Sequence, residues 1–508
     1  MRERITPELE ERFDQLVSPD EVLRIDRLEI DLGEFSELNL ERHLPDKLIT
    51  LLIKAIREEL SAMLAVRDKK MRGHRQEPVA EFESLAATKI TRLIQFLKTG
   101  YLDQPMAGNP PGGFRNLLEE LLESEAESTV KALQSEIRYT DRLKRLIHQS
   151  TDKTLITLLV QLSRPVVKNT DQVRSASEFA LQLISLNRNK KLFGSIESLS
   201  FRYEVWKTVF TLQSSWKSGS SVENLISRFL QKLAGGGGLG DYSPGEIREE
   251  FRKIEKNYRK DSAGKRISKD WMKGLARFIR KQKPETDSSE NTGDQEMSVE
   301  LTEIAPISSE QSNGPVERIR SQIPGSPGKS AEKRIMPSAG TAAGMAIRNS
   351  GLVLLYPFIP SFFRRTGLVD GKRFIDEASK QRAVHLLQYL VTGESETPEE
   401  DLVLNKILCG MELDTPVIPG IDIINEETDE AEILLINVIE KWQVLKNSSP
   451  GSIQTTFLQR DGIIRRETQQ NWKITVERKA VDVLLDKLPW GLSMFRMPWS
   501  ETFIQAEW

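Results

Sequence analysis

The sequence predicts a mainly α-helical protein built from several segments, with a short N-terminal strand, a long disordered linker and a mostly helical C-terminal domain with minor β-structure. Three observations favour this fold class. Apolar residues recur at helical spacing through most of the chain up to Leu233. A stretch rich in Ser, Pro, Gly, Glu and Lys then interrupts the pattern, and an apolar segment rich in tryptophan follows. With 508 residues, the chain is also too long for one core.

Residues 1–66 are predicted to form a strand followed by an amphipathic helix. In the strand, apolar residues alternate with charged or small ones, which is the period of a half-buried strand. These apolar residues are Leu23, Ile25, Leu28, Ile30 and Leu32. The helix is indicated by apolar residues three and four positions apart. They include Leu48, Leu51, Leu52, Ala55, Ile56, Leu60, Met63 and Leu64. Residues 67–85 are polar, lack a period and are predicted to be a connector.

Residues 86–233 are predicted to be a helical middle region, because several apolar stripes with helical spacing follow one another. One such stripe consists of Leu155, Leu158, Leu159 and Leu162. Residues 234–283 are predicted to contain a glycine-rich break and then a basic helical segment. The restart is marked by Ser243 in the N-cap position, with Glu246 three residues later to complete a capping box.

Residues 284–344 are predicted to be a disordered linker, because their few large apolar residues cannot offset the entropy lost on folding. Residues 345–508 are predicted to form a separate, mostly helical domain. Two short helices with apolar stripes are expected at 383–390 and 402–408, each followed by a glycine suited to a C-terminal cap. The alternation of Trp472 with the next apolar residues predicts a strand.

Composition argues against several functional classes. The net charge of −3 shows no global preference for nucleic acid or a membrane surface. Cys409 is the only cysteine, which excludes an intrachain disulfide, and the four histidines lack partners at metal-binding spacing. Gly235, Gly237 and Gly240 fit G-x-G-x-x-G but follow a helix, whereas a dinucleotide site needs a strand. We therefore expect no enzyme activity, no metal and no cofactor.

Targeting and membrane signals are also weak. The first residues are charged rather than apolar, so no signal peptide is expected. The longest uncharged apolar stretch, 351–363, is shorter than the roughly 20 residues that a membrane-spanning helix needs, and two prolines interrupt it. We expect this stretch to be buried in the protein and no contact with a membrane.

Residues 351–508 carry an ordered series of motifs. They are 351–363 (GLVLLYPFIPSFF), 382–390 (RAVHLLQYL), Pro398-Glu399, 402–410 (LVLNKILCG), 472–477 (WKITVE), 488–491 (LPWG), Pro498-Trp499 and Glu507-Trp508. Nearer the N-terminus, 25–33 (IDRLEIDLG) and 96–102 (FLKTGYL) belong to the same series. Together they resemble the tape-measure family of contractile, phage-tail-like injection systems.

The resemblance implies a structural assembly protein that determines the length of a tube from inside it. It implies tube, spike, hub or baseplate proteins as partners and possible further copies of the chain. Nucleic acid is not expected as a partner, and its binding through residues 252–283 is kept as a rival interpretation. The protein is then expected in the cytoplasm during assembly and afterwards inside the particle. A baseplate or cap component that measures nothing, and a cargo protein carried in the lumen, are the alternatives.

Two sets of candidate binding residues follow. Near the C-terminus, exposed tryptophans would be costly without a partner, although filling of the core is the other interpretation. This partner-binding set is Trp490, Pro498, Trp499, Trp508, Pro357 and Phe358. Residues 252–283 contain thirteen basic and three acidic residues, which suits a polyanion or an acidic tube lumen, or a solvated helix face. The basic set is Arg252, Lys253, Lys256, Arg259, Lys260, Lys265, Arg266, Lys269, Lys273 and Arg277.

Overall fold

A computed structural model describes most of the chain, apart from several gaps. The described residues are 21–25, 30, 47–58, 80–102, 113–163, 171–188, 198–213, 222–235, 243, 245–247, 249–253, 269–280, 344–468 and 471–508. Helix accounts for 66% of the confidently placed residues, and the strands are minor, which confirms the predicted fold class. The proposed linker lies outside the described residues except for Gly344.

The N-terminal strand pairs with a second strand much later in the chain. Strand β1 (Glu21–Ile25) runs antiparallel to β2 (Ala80–Ser84), with Glu21 opposite Ser84. Residues 47–58 are helical, as the apolar spacing predicts. Strand β2 lies within the segment that the sequence analysis treats as a connector. Leu28 and Leu32 of the predicted strand lie outside the described residues, and Ile30 is not in a strand.

The residues that follow form a helical unit, which we define as α1 to α9. Helix α1 (Leu85–Thr99) begins at Ser84, whose hydroxyl accepts a hydrogen bond from the Ala87 amide, and ends at Gly100 with a φ of +70°. The later helices are α2 (Phe114–Ser124), α3 (Ala126–Glu136), α4 (Thr140–Gln149), α5 (Asp152–Ser163), α6 (Asp171–Arg188), α7 (Ser198–Gln213), α8 (Val222–Gly235) and α9 (Lys269–Arg280). Their apolar faces share one core, which includes the predicted leucine stripe of α5.

Residues 344–508, which we call the C-terminal unit, combine helices with a sheet. The helices are α10 (Ile359–Arg365), α11 (Glu377–Thr392), α12 (Val403–Leu408), α13 (Asn425–Lys441) and α14 (Pro450–Ile453). The strands are β3 (Met345–Ile347), β4 (Val369–Asp370), β5 (Arg373–Phe374), β6 (Gly462–Thr468), β7 (Asn471–Val476), β8 (Met494–Arg496) and β9 (Phe503–Glu507). The predicted helices at 383–390 and 402–408 lie in α11 and α12, and the predicted strand at Trp472 is β7.

The C-terminal sheet has five strands in the order β3-β6-β7-β9-β8. Strands β7 and β9 are parallel, whereas the other neighbours are antiparallel. Strand β3 pairs only with residues 462–464, the first three residues of β6. One face of β7 is buried in the core through Trp472, Ile474 and Val476, which is the alternation expected of a half-covered sheet. None of the described helices combines the length and apolar character needed to span a bilayer.

Gly351 allows the tightest backbone approach in this unit. It lies in a 3₁₀ turn (Ser350–Leu355) that packs against a π-helical turn (Gln454–Leu458). A Cβ atom at Gly351 would overlap the carbonyl oxygen of Phe457 and lie 2.7 Å from its carbonyl carbon. Because a backbone atom cannot rotate away as a side chain can, only glycine fits this position.

We therefore predict that Gly351→Ala destabilises the C-terminal unit by about 1–3 kcal/mol through overpacking. The control is Gly491→Ala, because a Cβ at Gly491 would meet nothing within 4 Å. Urea unfolding followed by tryptophan fluorescence measures the effect, since five of the eight tryptophans lie in this unit. Equal midpoints for the two variants would contradict the prediction.

Candidate functional site

The helical unit and the C-terminal unit meet at a cluster of buried charged and amide groups. We call this cluster the ionic junction and define it by Arg145, Gln149, Glu399, Glu400 and Lys406. The first two residues lie near the end of α4, the two glutamates lie in a 3₁₀ turn (Glu399–Asp401), and the lysine lies in α12. Each of these side chains is buried. Charged groups in such a position are rare unless they are paired.

One carboxylate binds two cations at the centre of the junction. Glu399 Oε1 accepts hydrogen bonds from Arg145 Nε at 3.1 Å and from Lys406 Nζ at 2.6 Å. Glu399 and Arg145 are 0% exposed and Lys406 is 1% exposed, so water does not screen these pairs. Burial lowers the pKa of Lys406, and the Glu399 carboxylate opposes that shift. The Glu399 carboxylate therefore favours the charged form of the lysine.

Backbone carbonyls accept further hydrogen bonds from the two cations. The guanidinium of Arg145 donates to the carbonyls of Leu97 and Asp414. Lys406 Nζ donates to the carbonyls of Leu413 and Thr415, both at 2.9 Å. A buried ion pair costs least when its other hydrogen-bonding positions are also filled. The carbonyls fill such positions on both cations, whereas the buried Oε2 atom of Glu399 has no hydrogen-bond partner among the described residues.

Glu400 caps a helix that begins 286 residues earlier in the chain. Its Oε1 atom accepts a hydrogen bond of 2.9 Å from the Phe114 amide, the first residue of α2. The N-cap residue of that helix is Gly113, which has no side chain to do this. Burial raises the pKa of Glu400 to about 7, although the hydrogen bond from Phe114 opposes this shift. The helix and the acidic turn are thus joined by a group poised to titrate near neutrality.

Two glycines make room for the two carboxylates. A Cβ at Gly100 would overlap Glu399 Oε1 and lie 3.0 Å from Lys406 Nζ, and Gly100 also has a positive φ. A Cβ at Gly113 would overlap Glu400 Oε1. The next residue after Gly100, Tyr101, is buried in the core of the C-terminal unit. The structure therefore places the 96–102 motif directly against the Pro398-Glu399 and 402–410 motifs.

A network of buried amides holds the acidic turn and α12 in place. Asn349 Nδ2 donates to Asn405 Oδ1 at 2.6 Å and to Gln388 Oε1 at 2.9 Å. Asn405 in turn donates to the Val384 carbonyl at 3.0 Å. These bonds tie α12 to α11 and to the start of the C-terminal unit. The position of Lys406, one residue further along α12, follows from them.

The predicted partner-binding tryptophans pack partly into the C-terminal unit. Trp490 Nε1 donates to the Leu354 carbonyl at 3.1 Å, and its ring meets Phe358 edge to face at 5.1 Å. Trp499 Nε1 donates to the Leu408 carbonyl at 2.8 Å. The third candidate tryptophan is Trp508, and the Arg460 guanidinium lies 5.3 Å from the centre of its ring. All three tryptophans are half-buried. Partner binding therefore stays a prediction.

Pro357 and Phe358 of the same set line a groove between α10 and α13. Its volume is about 270 Å³, and its walls combine apolar and charged side chains. The other lining residues are Ser361, Phe362, Arg365, Glu430, Ile433, Leu434, Asn437 and Lys441. Pro357 is exposed, as is Pro498 of the candidate set.

The basic set is described only in part. Arg252 and Lys253 form ion pairs with Glu249 and Glu250, at 3.0 Å and 2.6 Å. Lys273 and Arg277 are exposed on α9. The side chain of Lys269 is outside the description, although its backbone begins α9. The residues Lys256, Arg259, Lys260, Lys265 and Arg266 lie wholly outside the described residues.

The cysteine thiol and two histidine rings are buried, and burial changes their pKa values. Burial raises the pKa of the Cys409 thiol, which disfavours the thiolate. Burial also lowers the pKa of His148 to about 3 and of His385 to about 4, so both rings are neutral at neutral pH. His385 Nε2 lies 3.0 Å from the Ile418 carbonyl. Within the part of the chain that the structure describes, no group of three or more His, Cys, Asp and Glu could hold a metal.

The comparison with known families gives a match that spans the chain. The family model described as contractile injection system tape measure protein matches residues 1–508. No curated protein and no solved structure matches the sequence.

We predict that Glu399→Ala destabilises the protein by about 3–5 kcal/mol, because it leaves two buried cations without their carboxylate. Glu394→Ala is the matched control: this glutamate is exposed in the same unit, and the change should cost no more than about 0.5 kcal/mol. Urea unfolding at pH 7 measures both. A cost for Glu399→Ala as small as that of the control would show that the junction does not hold in solution.

Proposed function

Since the chain belongs to the family of contractile injection system tape measure proteins, we propose that it sets the length of the tube from inside and attaches to a spike, hub or baseplate subunit. The match of the family model to the whole chain carries this proposal. Assembly then takes place in the cytoplasm, after which the protein lies inside the particle. Its role depends on the length of chain between two attachment points and requires no catalytic group.

The helical content supports a role as a ruler. Helix rises by about 1.5 Å per residue, so 508 helical residues would span roughly 760 Å. Extended chain reaches further, at about 3.3–3.6 Å per residue. The folded helical unit holds its own part of this length in a compact form, since its helices pack against one shared core. Its α-helices are thus the part of the chain that we assign to measurement.

The C-terminal unit is the part that we assign to attachment. It is compact, and its groove between α10 and α13 brings apolar side chains to the surface. Among them, Ile433 is 41% exposed, and Phe358 joins the groove to Trp490. Clustered aromatic and aliphatic side chains in a concave surface are typical anchors for a partner protein. The exposed Lys273 and Arg277 of α9 suit contact with an acidic tube lumen.

The ruler role predicts that tube length follows chain length. Deletion of residues 171–213, which removes α6 and α7, should shorten the tube by about 65 Å if the segment is helical in the particle and by about 150 Å if it is extended. Electron microscopy of purified particles measures the length distribution. The control replaces the same residues by an unrelated helical sequence of equal length, which should restore the original tube. Normal assembly with unchanged length after the deletion would favour a component that measures nothing.

The attachment role predicts that a charge in the groove releases the protein from its partner. Ile433→Glu should reduce co-purification with spike, hub or baseplate proteins by about tenfold or more, because an anchor side chain is lost and a charge must be desolvated. Ile375→Glu is the matched control, since Ile375 is 61% exposed and does not line the groove. Equal recovery of partners with both variants would contradict attachment through the groove.

A further inference from the structure

We propose that the ionic junction is a reversible latch, at which the helical unit and the C-terminal unit separate as two folded bodies, and that proton binding by Glu400 favours the closed state. This inference goes beyond length determination. It concerns the free chain, and its test needs no particle. The latch can therefore fail its test while the proposed function stands, and the proposed function can fail while the latch stands.

The first argument is that buried polar groups join the two units. The buried apolar residues form two separate clusters, and Tyr101 contributes to the C-terminal cluster from outside that unit. Among the described residues, the hydrogen bonds that cross the junction include these five. They join Arg145 Nε to Glu399 Oε1, Arg145 Nη2 to the Asp414 carbonyl, Gln149 Nε2 to the Val417 carbonyl, the Glu399 amide to Gln149 Oε1, and the Phe114 amide to Glu400 Oε1. Permanent interfaces are more hydrophobic, whereas contacts of this kind are typical of domains that come apart.

The second argument is that the charges keep partners when the junction opens. Glu399 and Lys406 belong to the same unit, so their ion pair of 2.6 Å survives separation. Lys406 also keeps its two backbone carbonyls. Arg145 keeps the Leu97 carbonyl within the helical unit and gains water. The loss of a buried ion-pair partner is costly because it leaves an isolated buried charge. Opening of the junction leaves no such charge.

The third argument concerns the proton of Glu400. Its Oε1 atom is bonded to the Phe114 amide, whereas its buried Oε2 atom has no hydrogen-bond partner among the described residues. Burial raises the pKa of this carboxyl from 4.5 to about 7 while the junction is closed. Opening returns it to water and to its ordinary pKa. Between about pH 4.5 and 7, Glu400 is therefore protonated in the closed state and ionised in the open state.

The direction of the linkage follows from this difference. Protonation of Glu400 stabilises the closed state relative to the open state. This stabilisation is complete below about pH 4.5 and is lost as the pH rises through about 7. Within this window, each unit of pH increases the ratio of open to closed molecules by at most about tenfold. Above it, the ratio becomes constant. A rise in pH thus opens the latch, and acidification closes it.

The charged neighbours of Glu400 agree with this assignment. Glu399 and Asp401 in the same turn raise its pKa by repulsion. Asp401 interacts with Arg348 of the same unit, so that interaction persists after opening. On the helical side, the α2 amide faces Glu400, and Arg145 binds Glu399 rather than Glu400. The nearby His148 has a pKa of about 3 and stays neutral throughout the window.

A distance measurement on the full chain tests the latch. Spin labels are placed on cysteines that replace Lys131 in the helical unit and Glu394 in the C-terminal unit, both exposed, in a Cys409→Ala background. Double electron–electron resonance between pH 5 and pH 8 then gives the distance distribution. We expect one short distance at pH 5 and a growing long, broad population as the pH rises. The far-UV circular dichroism should not change, because both units remain folded.

Three variants separate the parts of the proposal. Glu400→Gln retains an acceptor for the Phe114 amide but cannot ionise, so the open fraction should become independent of pH. Arg145→Ala should raise the open fraction at every pH, whereas Arg138→Ala, an exposed arginine of the same unit, should not. A single short distance at all pH values in the wild type and in Arg145→Ala would overturn the latch, as would loss of helical signal on opening. An unchanged pH profile in Glu400→Gln would overturn the role of its proton.

Discussion

A carboxylate that is removed from water must be compensated, and at Glu399 this requirement determines how the two halves of the protein fit together. Arg145 approaches from α4 and Lys406 from α12, and both bind the same oxygen atom. The two cations can take few other positions around Glu399, because each of them also donates hydrogen bonds to backbone carbonyls. Gly100 follows from the same constraint, since any side chain there would occupy the place of the carboxylate. The helical unit therefore docks on the C-terminal unit in one orientation.

The constraint extends into the C-terminal unit. The acidic turn can present Glu399 and Glu400 only if it is itself fixed. The Asn349 amide donates to the Asp401 carbonyl of this turn at 3.4 Å and also to Asn405 of α12. Nearby, Gly351 lets two irregular turns touch through their backbones. Polar networks of this kind are costly when incomplete and rigid when satisfied. In this network the Asn349 amide nitrogen is bonded, and the Oδ1 atom of the same residue has no partner among the described residues.

Local pattern was enough to predict much of this fold. Apolar spacing predicts helices α11 and α12 and strand β7, because this spacing follows the local period of the backbone. The junction could not be found in this way. Arg145 lies among other charged residues of α4, and its partner Glu399 is 254 residues away. The only signal is indirect: two motifs of the family resemblance, 96–102 and Pro398-Glu399, contain Gly100 and Glu399, but their contact depends on tertiary structure.

The short first strand of the C-terminal sheet has a consequence for crowding. Because β3 covers only residues 462–464, the rest of β6 has no neighbouring strand on that side among the described residues. An open edge of this kind can template pairing with another chain. Here the exposed Arg465, Arg466 and Glu467 occupy it, and charge on an edge strand opposes such pairing. The charges at this edge therefore oppose edge-to-edge joining of chains into a continuous sheet wherever chains meet at high concentration.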